Sequence, residues 1–115
     1  MTMKLKLKKT TDAVAVKVDI SEWTDDVEAF VKALTMREKM VFTDCLSKYI
    51  DKDTPETDRA EAILSGCVMV LVDKEGLPLF TLEDIPQLME CSFIPVNRII
   101  QTVTDQNEGI SFVKN

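Results

Sequence analysis

The sequence predicts a mainly α-helical protein, a compact bundle of about five helices carrying a small N-terminal β-hairpin. Three observations predict it. Apolar residues recur at helical spacing in successive stretches after residue 20, most of those stretches open on a helix-start signal, and only the first stretch of the chain alternates with a period of two. A length of 115 residues suits one domain with one core. The chain therefore reads as a single unit, with a hairpin region at 1–20, a helical body at 21–109 and a C-terminal tail at 110–115.

The elements follow in order. Leu5 and Leu7 alternate with lysines, and Val14, Val16, Val18 and Ile20 alternate with Ala15, Lys17 and Asp19, the pattern of two half-buried strands that pair as a hairpin. Ser21 or Thr24 then caps a short helix through Val27, Phe30, Val31 and Leu34, with Asp25, Asp26 and Glu28 near its positive end. Thr35-Met36-Arg37-Glu38 has the form of a capping box, so a second helix starts there and buries Phe42, Cys45, Leu46, Tyr49 and Ile50 as one stripe. Asp51-Lys52-Asp53-Thr54 ends it.

Thr54 as cap and Pro55 in the first helical position open the third helix, where a missing proline donor costs nothing. Ala60, Ile63, Leu64, Cys67, Val68 and Leu71 form its stripe, and no charge falls between Ala62 and Val72, so this helix is expected at the centre of the molecule. The run Cys67 to Val72 also admits a strand that turns at Asp73-Lys74-Glu75-Gly76 into Leu77 to Phe80. Pro78 weakens that hairpin, and a helix ending near Val72 is the expectation.

Thr81-Leu82-Glu83-Asp84 opens a short helix with Pro86 in its first turn or so and Leu82, Ile85, Leu88 and Met89 on its apolar side. Ser92 and Pro95 mark the last start, Val96, Ile99, Ile100 and Val103 the last stripe, and Gly109 its stop. Ile110, Phe112 and Val113 make an apolar tail that docks on its own body or on a neighbour.

Composition narrows the function. With 45% hydrophobic and 30% charged residues the chain is of globular type. Fourteen bases against twenty acids give a net charge of −6, which disfavours phosphate backbones and anionic lipid. Lys4, Lys6, Lys8 and Lys9 stand without an acid in the first nine residues, which leaves ten bases against the same twenty acids in the rest. The two parts attract each other electrostatically, within one chain or between copies. No apolar signal core leads the sequence, and the longest strongly apolar run, Cys67 to Val72, is too short to span a bilayer, so a cytosolic protein without a membrane is expected. Cys45, Cys67 and Cys91 are odd in number and set in apolar patterns, and read as reduced, buried residues.

There is no histidine, which removes the commonest general base and neutral metal ligand. No Cys-x-x-Cys pair and no phosphate loop occur. Asp51, Asp53, Glu56 and Asp58 read as a solvated turn with helix-start acids, and Asp73-Lys74-Glu75-Gly76 lacks the acid spacing of a calcium loop. A protein without catalytic residues, cofactor or metal is expected. Met36, Met40, Met69 and Met89 read as core filling, with adaptable partner contact as the alternative. The lysine strip at the N-terminus has no interleaved aromatics for stacking bases, so nucleic acid is not the expected partner.

From Arg59 through Ile63, Leu64 and Cys67 to Asp73-Lys74-Glu75-Gly76-Leu77-Pro78-Leu79-Phe80, then Asp84 and Leu88, the sequence resembles the tail assembly chaperones of long-tailed (siphovirus-type) bacteriophages. The likeness lies in an apolar helix, an Asp-x-x-Gly turn, a Pro-Leu-Phe step and a following short helix. It implies a non-enzymatic morphogenesis factor of the infected cell's cytoplasm, absent from the finished virion, which keeps the tape measure protein soluble while tail tube subunits assemble around it. It also implies self-association and, in many members, a second, frameshifted form.

The family brings no residue-level binding motif that matches here. Leu79, Phe80, Ile85, Leu88, Met89 and Phe93 are the candidate partner contacts, as an apolar cluster around prolines that suits an amphipathic helix, with core packing as the competing reading. Leu5, Leu7, Val14, Val16, Ile110 and Phe112 are the candidates for contact between copies. The alternative function is a small regulatory or nucleic-acid-associated protein that uses the basic N-terminus.

Overall fold

The computed structural model describes residues 14–106. In chain order the elements are β1 (Val16–Val18), β2 (Ala29–Val31), α1 (Met36–Ile50), α2 (Glu56–Val70), β3 (Leu71–Val72), a 3₁₀ turn (Leu82–Asp84), α3 (Ile85–Leu88) and α4 (Ile94–Gln106). The chain is mainly helical, but the described residues hold four helices and a three-stranded sheet rather than five helices and a hairpin.

The missing helix is the one expected between Ser21 and Leu34. Trp23 and Thr24 both donate their backbone N–H to the Ile20 carbonyl, closing a tight turn, and Ala29–Val31 emerges extended. It pairs antiparallel with β1 (Val16 with Val31, Val18 with Ala29) and with β3 (Phe30 with Val72, Val31 with Leu71). An isolated helix of that length is marginal in water, whereas Val31 as a strand residue is fully buried. Tertiary pairing therefore decides the segment. The Leu5 and Leu7 arm of the expected hairpin lies outside the described residues, and the partner of β1 within them is β2.

The boundary between α2 and β3 mixes the two readings of the run Cys67 to Val72. The helix ends two residues early, with the Leu71 N–H closing on the Cys67 carbonyl, and Leu71–Val72 passes straight into the sheet. Leu71 is fully buried there, a contribution of roughly 1.5–3 kcal/mol, and its pairing with Val31 gives β2 a second strand partner that a longer helix would not. The turn after it is held by Asp73, whose Oδ1 accepts from the N–H groups of Glu75 (2.8 Å) and Leu77 (3.0 Å). Gly76 takes the left-handed conformation at φ 87°. Pro78 then bridges Val72 at the sheet edge, a place that tolerates its missing donor.

The three long helices form where their start signals and stripes place them. At α1 the capping box is complete: Glu38 N–H donates to Thr35 Oγ1 (3.1 Å) and Thr35 N–H to Glu38 Oε1 (3.0 Å). Thr54 does not cap α2. Its hydroxyl donates to Asp51 Oδ2 at 3.0 Å, Pro55 occupies the cap position, and Glu56 is the first helical residue. Thr81 and Asp84 exchange capping bonds at the 3₁₀ turn, and the Ser92 hydroxyl accepts from Ile94 N–H (3.1 Å) where α4 begins.

α2 is central, as its uncharged stretch predicts: Ile63, Leu64, Cys67, Val68 and Val70 are all buried, and it packs on α1, α3 and α4. α1 packs closely on α2 at Gly66, where a Cβ would lie 3.1 Å from the Phe42 ring and 3.2 Å from Cys45 Cβ. α4 lays Val96, Ile99 and Val103 into the core and contacts β1 and β2. Arg98 anchors it across the chain through a forked pair with Glu22 (2.6 and 2.9 Å) and a bond to the Asp19 carbonyl (3.0 Å).

Several expected core positions face solvent instead. Ile50 is 66% exposed at the last position of α1, and Leu82 is 65% exposed at the first position of the 3₁₀ turn. Met36 (81%) and Met40 (64%) lie on the outer side of α1, so core filling does not describe them, while Met69 and Met89 are half-buried against the core. Of the three cysteines only Cys67 is fully buried; Cys45 is half-buried and Cys91, in the turn after α3, is exposed.

Candidate partner-binding groove

Where the stripes of α1, α2 and α4 diverge, the short α3 and the turn after it do not fill the space between them. An apolar groove of about 120 Å³ remains, lined by Tyr49, Ala60, Ile63, Leu64, Leu88, Met89, Cys91, Ser92, Phe93 and Val96. It has the size of one large side chain, since an engineered apolar cavity of about 150 Å³ takes up benzene.

Its walls are fixed by polar contacts outside it. The Arg59 side chain donates to the Tyr49 carbonyl at 3.0 Å, tying the end of α1 to α2. The Trp23 indole N–H donates to the Ser92 carbonyl at 2.8 Å, and Cys91 N–H to the Leu88 carbonyl at 3.0 Å, so the turn at 89–93 is held from both sides. The Phe93 carbonyl accepts from the N–H groups of Val96 and Asn97 in the first turn of α4, while the residue as a whole stays 66% exposed. The groove is thus bounded by an exposed aromatic on a rigid support, the kind of group that anchors protein interfaces.

The candidate contacts divide. Leu88, Met89 and Phe93 line the groove, Leu88 from its buried floor and Phe93 from its rim. Ile85, at 8% exposure, belongs to the core and does not line it. Leu79 and Phe80 are half-buried against the core, and the Phe80 ring meets Trp23 edge-on with centroids 5.9 Å apart. Of the candidates for contact between copies, Val14 (85%) and Val16 (43%) are exposed, and Leu5, Leu7, Ile110 and Phe112 lie outside the described residues. The sequence placed Tyr49, Ala60, Ile63, Leu64 and Val96 in helix stripes rather than in a groove, and no local signal separates a stripe that meets its neighbour from one that parts from it; Cys91 and Ser92 line the groove from the turn after α3.

A larger hollow of about 690 Å³ lies beside the sheet, but its rim carries charges, and two of them, Lys32 and Glu38, are already paired at 2.7 Å. Its lining mixes these charged side chains with apolar ones such as Val14, Phe30 and Val72. Three carboxyls are held below their ordinary range: Asp19 by the Ser21 N–H, Glu22 by Arg98, and Asp51 by the Asp53 N–H. For Glu38, partial burial pushes upward, but bonds from Lys32 and Thr35 together outweigh it. Such groups are poised as anions rather than as acids. Burial pushes the Cys67 thiol up to about 12, which keeps it protonated at neutral pH. Among the described residues no group of three or more His, Cys, Asp or Glu side chains could hold a metal ion, and no helix is long and apolar enough to cross a membrane.

No family model, curated protein or solved structure matches the chain.

Proposed function

We propose that this protein is a non-enzymatic tail assembly chaperone of the long-tailed bacteriophage type, which binds the tape measure protein and keeps it soluble during tail morphogenesis. The observation that carries the reading is the apolar groove with Phe93 exposed on its rim. Part of its floor and wall comes from the stretch between Arg59 and Leu88 that bears the resemblance. That stretch is one structural unit: the apolar helix is α2, the Asp-x-x-Gly turn is the Asp73 to Gly76 turn, and the Pro-Leu-Phe step leads through Thr81 into α3. In this reading the protein acts in the host cytoplasm, associates with copies of itself, meets the tail tube protein as a further partner and is left out of the virion.

The test is co-expression with the tape measure protein encoded in the same genome. The soluble share of that protein is expected to rise severalfold when this chain is present. An unchanged soluble share would sink the reading.

A further inference from the structure

The groove has room for one large side chain, and its surroundings indicate which kind of segment brings that side chain. Glu56 lies one helical turn before Ala60 and so extends the same row of α2 beyond the groove. Glu90 stands between Met89 and Cys91, both of which line it. Both glutamates are exposed, and neither makes an ion pair within the described residues. Arg59, the cation nearest in sequence to Ala60, donates to the Tyr49 carbonyl and keeps its charge, but residues 48–61 carry three bases against five acids, so this side of the groove is acidic on balance. Outside the N-terminal lysines the chain has ten bases against twenty acids, so the wider field has the same sign.

We infer that the Phe93 groove takes an apolar side chain from an amphipathic helix whose flanks carry Lys or Arg, with Glu56 and Glu90 receiving those cations. Phe93 and Met89 supply the apolar contact, and the glutamates set the sign and orientation of the partner. The inference rests on the chaperone reading only in taking the tape measure protein as the natural source of the helix.

The probe is a fluorescein-labelled peptide of about eighteen residues, long enough to be helical when bound, with Leu at the spacing of one helix face and Lys elsewhere. Its partner probe has Glu in place of every Lys. Fluorescence anisotropy with the full chain is expected to give binding of the Lys peptide at least tenfold tighter than of the Glu peptide. F93A, at an exposed position that leaves the fold intact, is expected to weaken the Lys peptide tenfold or more, and E56K/E90K to reverse the preference. Trp23 emission, which reports the burial of the indole against the core, checks that each variant is folded. Equal affinity for the two peptides overturns the inference, as does F93A binding like the wild type. Concentration-dependent dimers in sedimentation that F93A abolishes also overturn it, by assigning the groove to a second copy. In the tape measure co-expression, F93A that solubilises as well as wild type overturns the groove and spares the chaperone. A wild type that binds the Lys peptide but solubilises no tape measure protein supports the groove and removes the chaperone.

Discussion

The indole N–H of Trp23 donates to the backbone carbonyl of Ser92 at 2.8 Å, across 69 residues of chain. One bond thus joins the turn after β1 to the turn that forms the groove, and Phe80 braces the same ring edge-on. W23F keeps a ring for Phe80 but leaves the half-buried Ser92 carbonyl without its donor. It is expected to cost about 1 kcal/mol in urea unfolding and to speed amide exchange at Phe93 and Ile94. W23A loses the ring as well and should cost roughly 3 kcal/mol. Unchanged exchange at 93–94 in W23F would show that the turn is held by other contacts.

Glu38 serves two partners at once, closing the capping box with Thr35 and pairing with Lys32 at 2.7 Å. Its carboxyl is held below the ordinary value of 4.5 in the folded protein. The sign follows by linkage: the anion is favoured by folding, so its contribution is present above the unfolded value and is lost as pH falls through the lower folded one. The stability gap between wild type and E38Q should therefore be widest at neutral pH and narrow in acid below 4.5. T35A should cost about 1 kcal/mol at neutral pH. A gap independent of pH would place the value of Glu38 in its shape rather than its charge.

α1, α2 and α4 were legible because each pairs a local start signal with a stripe long enough to fix its period. The sheet was not. Val27, Phe30, Val31 and Leu34 fit helical spacing as well as Ala29–Val31 fits a strand, and the partner that decides between them, Leu71–Val72, is two residues long and lies 40 residues away. The groove was half legible for the same reason. Met89 and Phe93 stood out as an apolar pair near prolines, whereas Ile85 looked alike and is core, because only the packed arrangement shows which side of α3 meets α2.

The cysteines offer a direct reading of burial. Cys91 is exposed in the groove, Cys45 is half-buried with its thiol raised by burial and then by Asp44, and Cys67 is sealed beneath α1. A thiol reagent should modify Cys91 promptly, Cys45 slowly and Cys67 only on unfolding, as followed by mass spectrometry. The Lys-rich peptide should slow modification of Cys91 and leave Cys45 unaffected. Prompt modification of Cys67 in the native protein would mean that α1 separates readily from α2.

Gly66 tests the same contact from the other side. Alanine is the better helix former by about 1 kcal/mol, so in an open helix G66A would stabilise. Here the new methyl would meet the Phe42 ring at 3.1 and 3.3 Å and Cys45 Cβ at 3.2 Å. Phe42 is 3% exposed, so its ring has little room to yield, and Cys45 Cβ is fixed to the α1 backbone. Relief therefore requires α1 to shift from α2 by a few tenths of an ångström, at an overpacking cost of about 1–3 kcal/mol that cancels the propensity gain or exceeds it. G66A is expected to be destabilised by about 1 kcal/mol net, and G66V, with two more carbons in the same gap, by roughly 3 kcal/mol in urea unfolding. A stabilised G66A would show that α1 rides on α2 with slack, and Cys67 in that variant should then remain as unreactive as in the wild type.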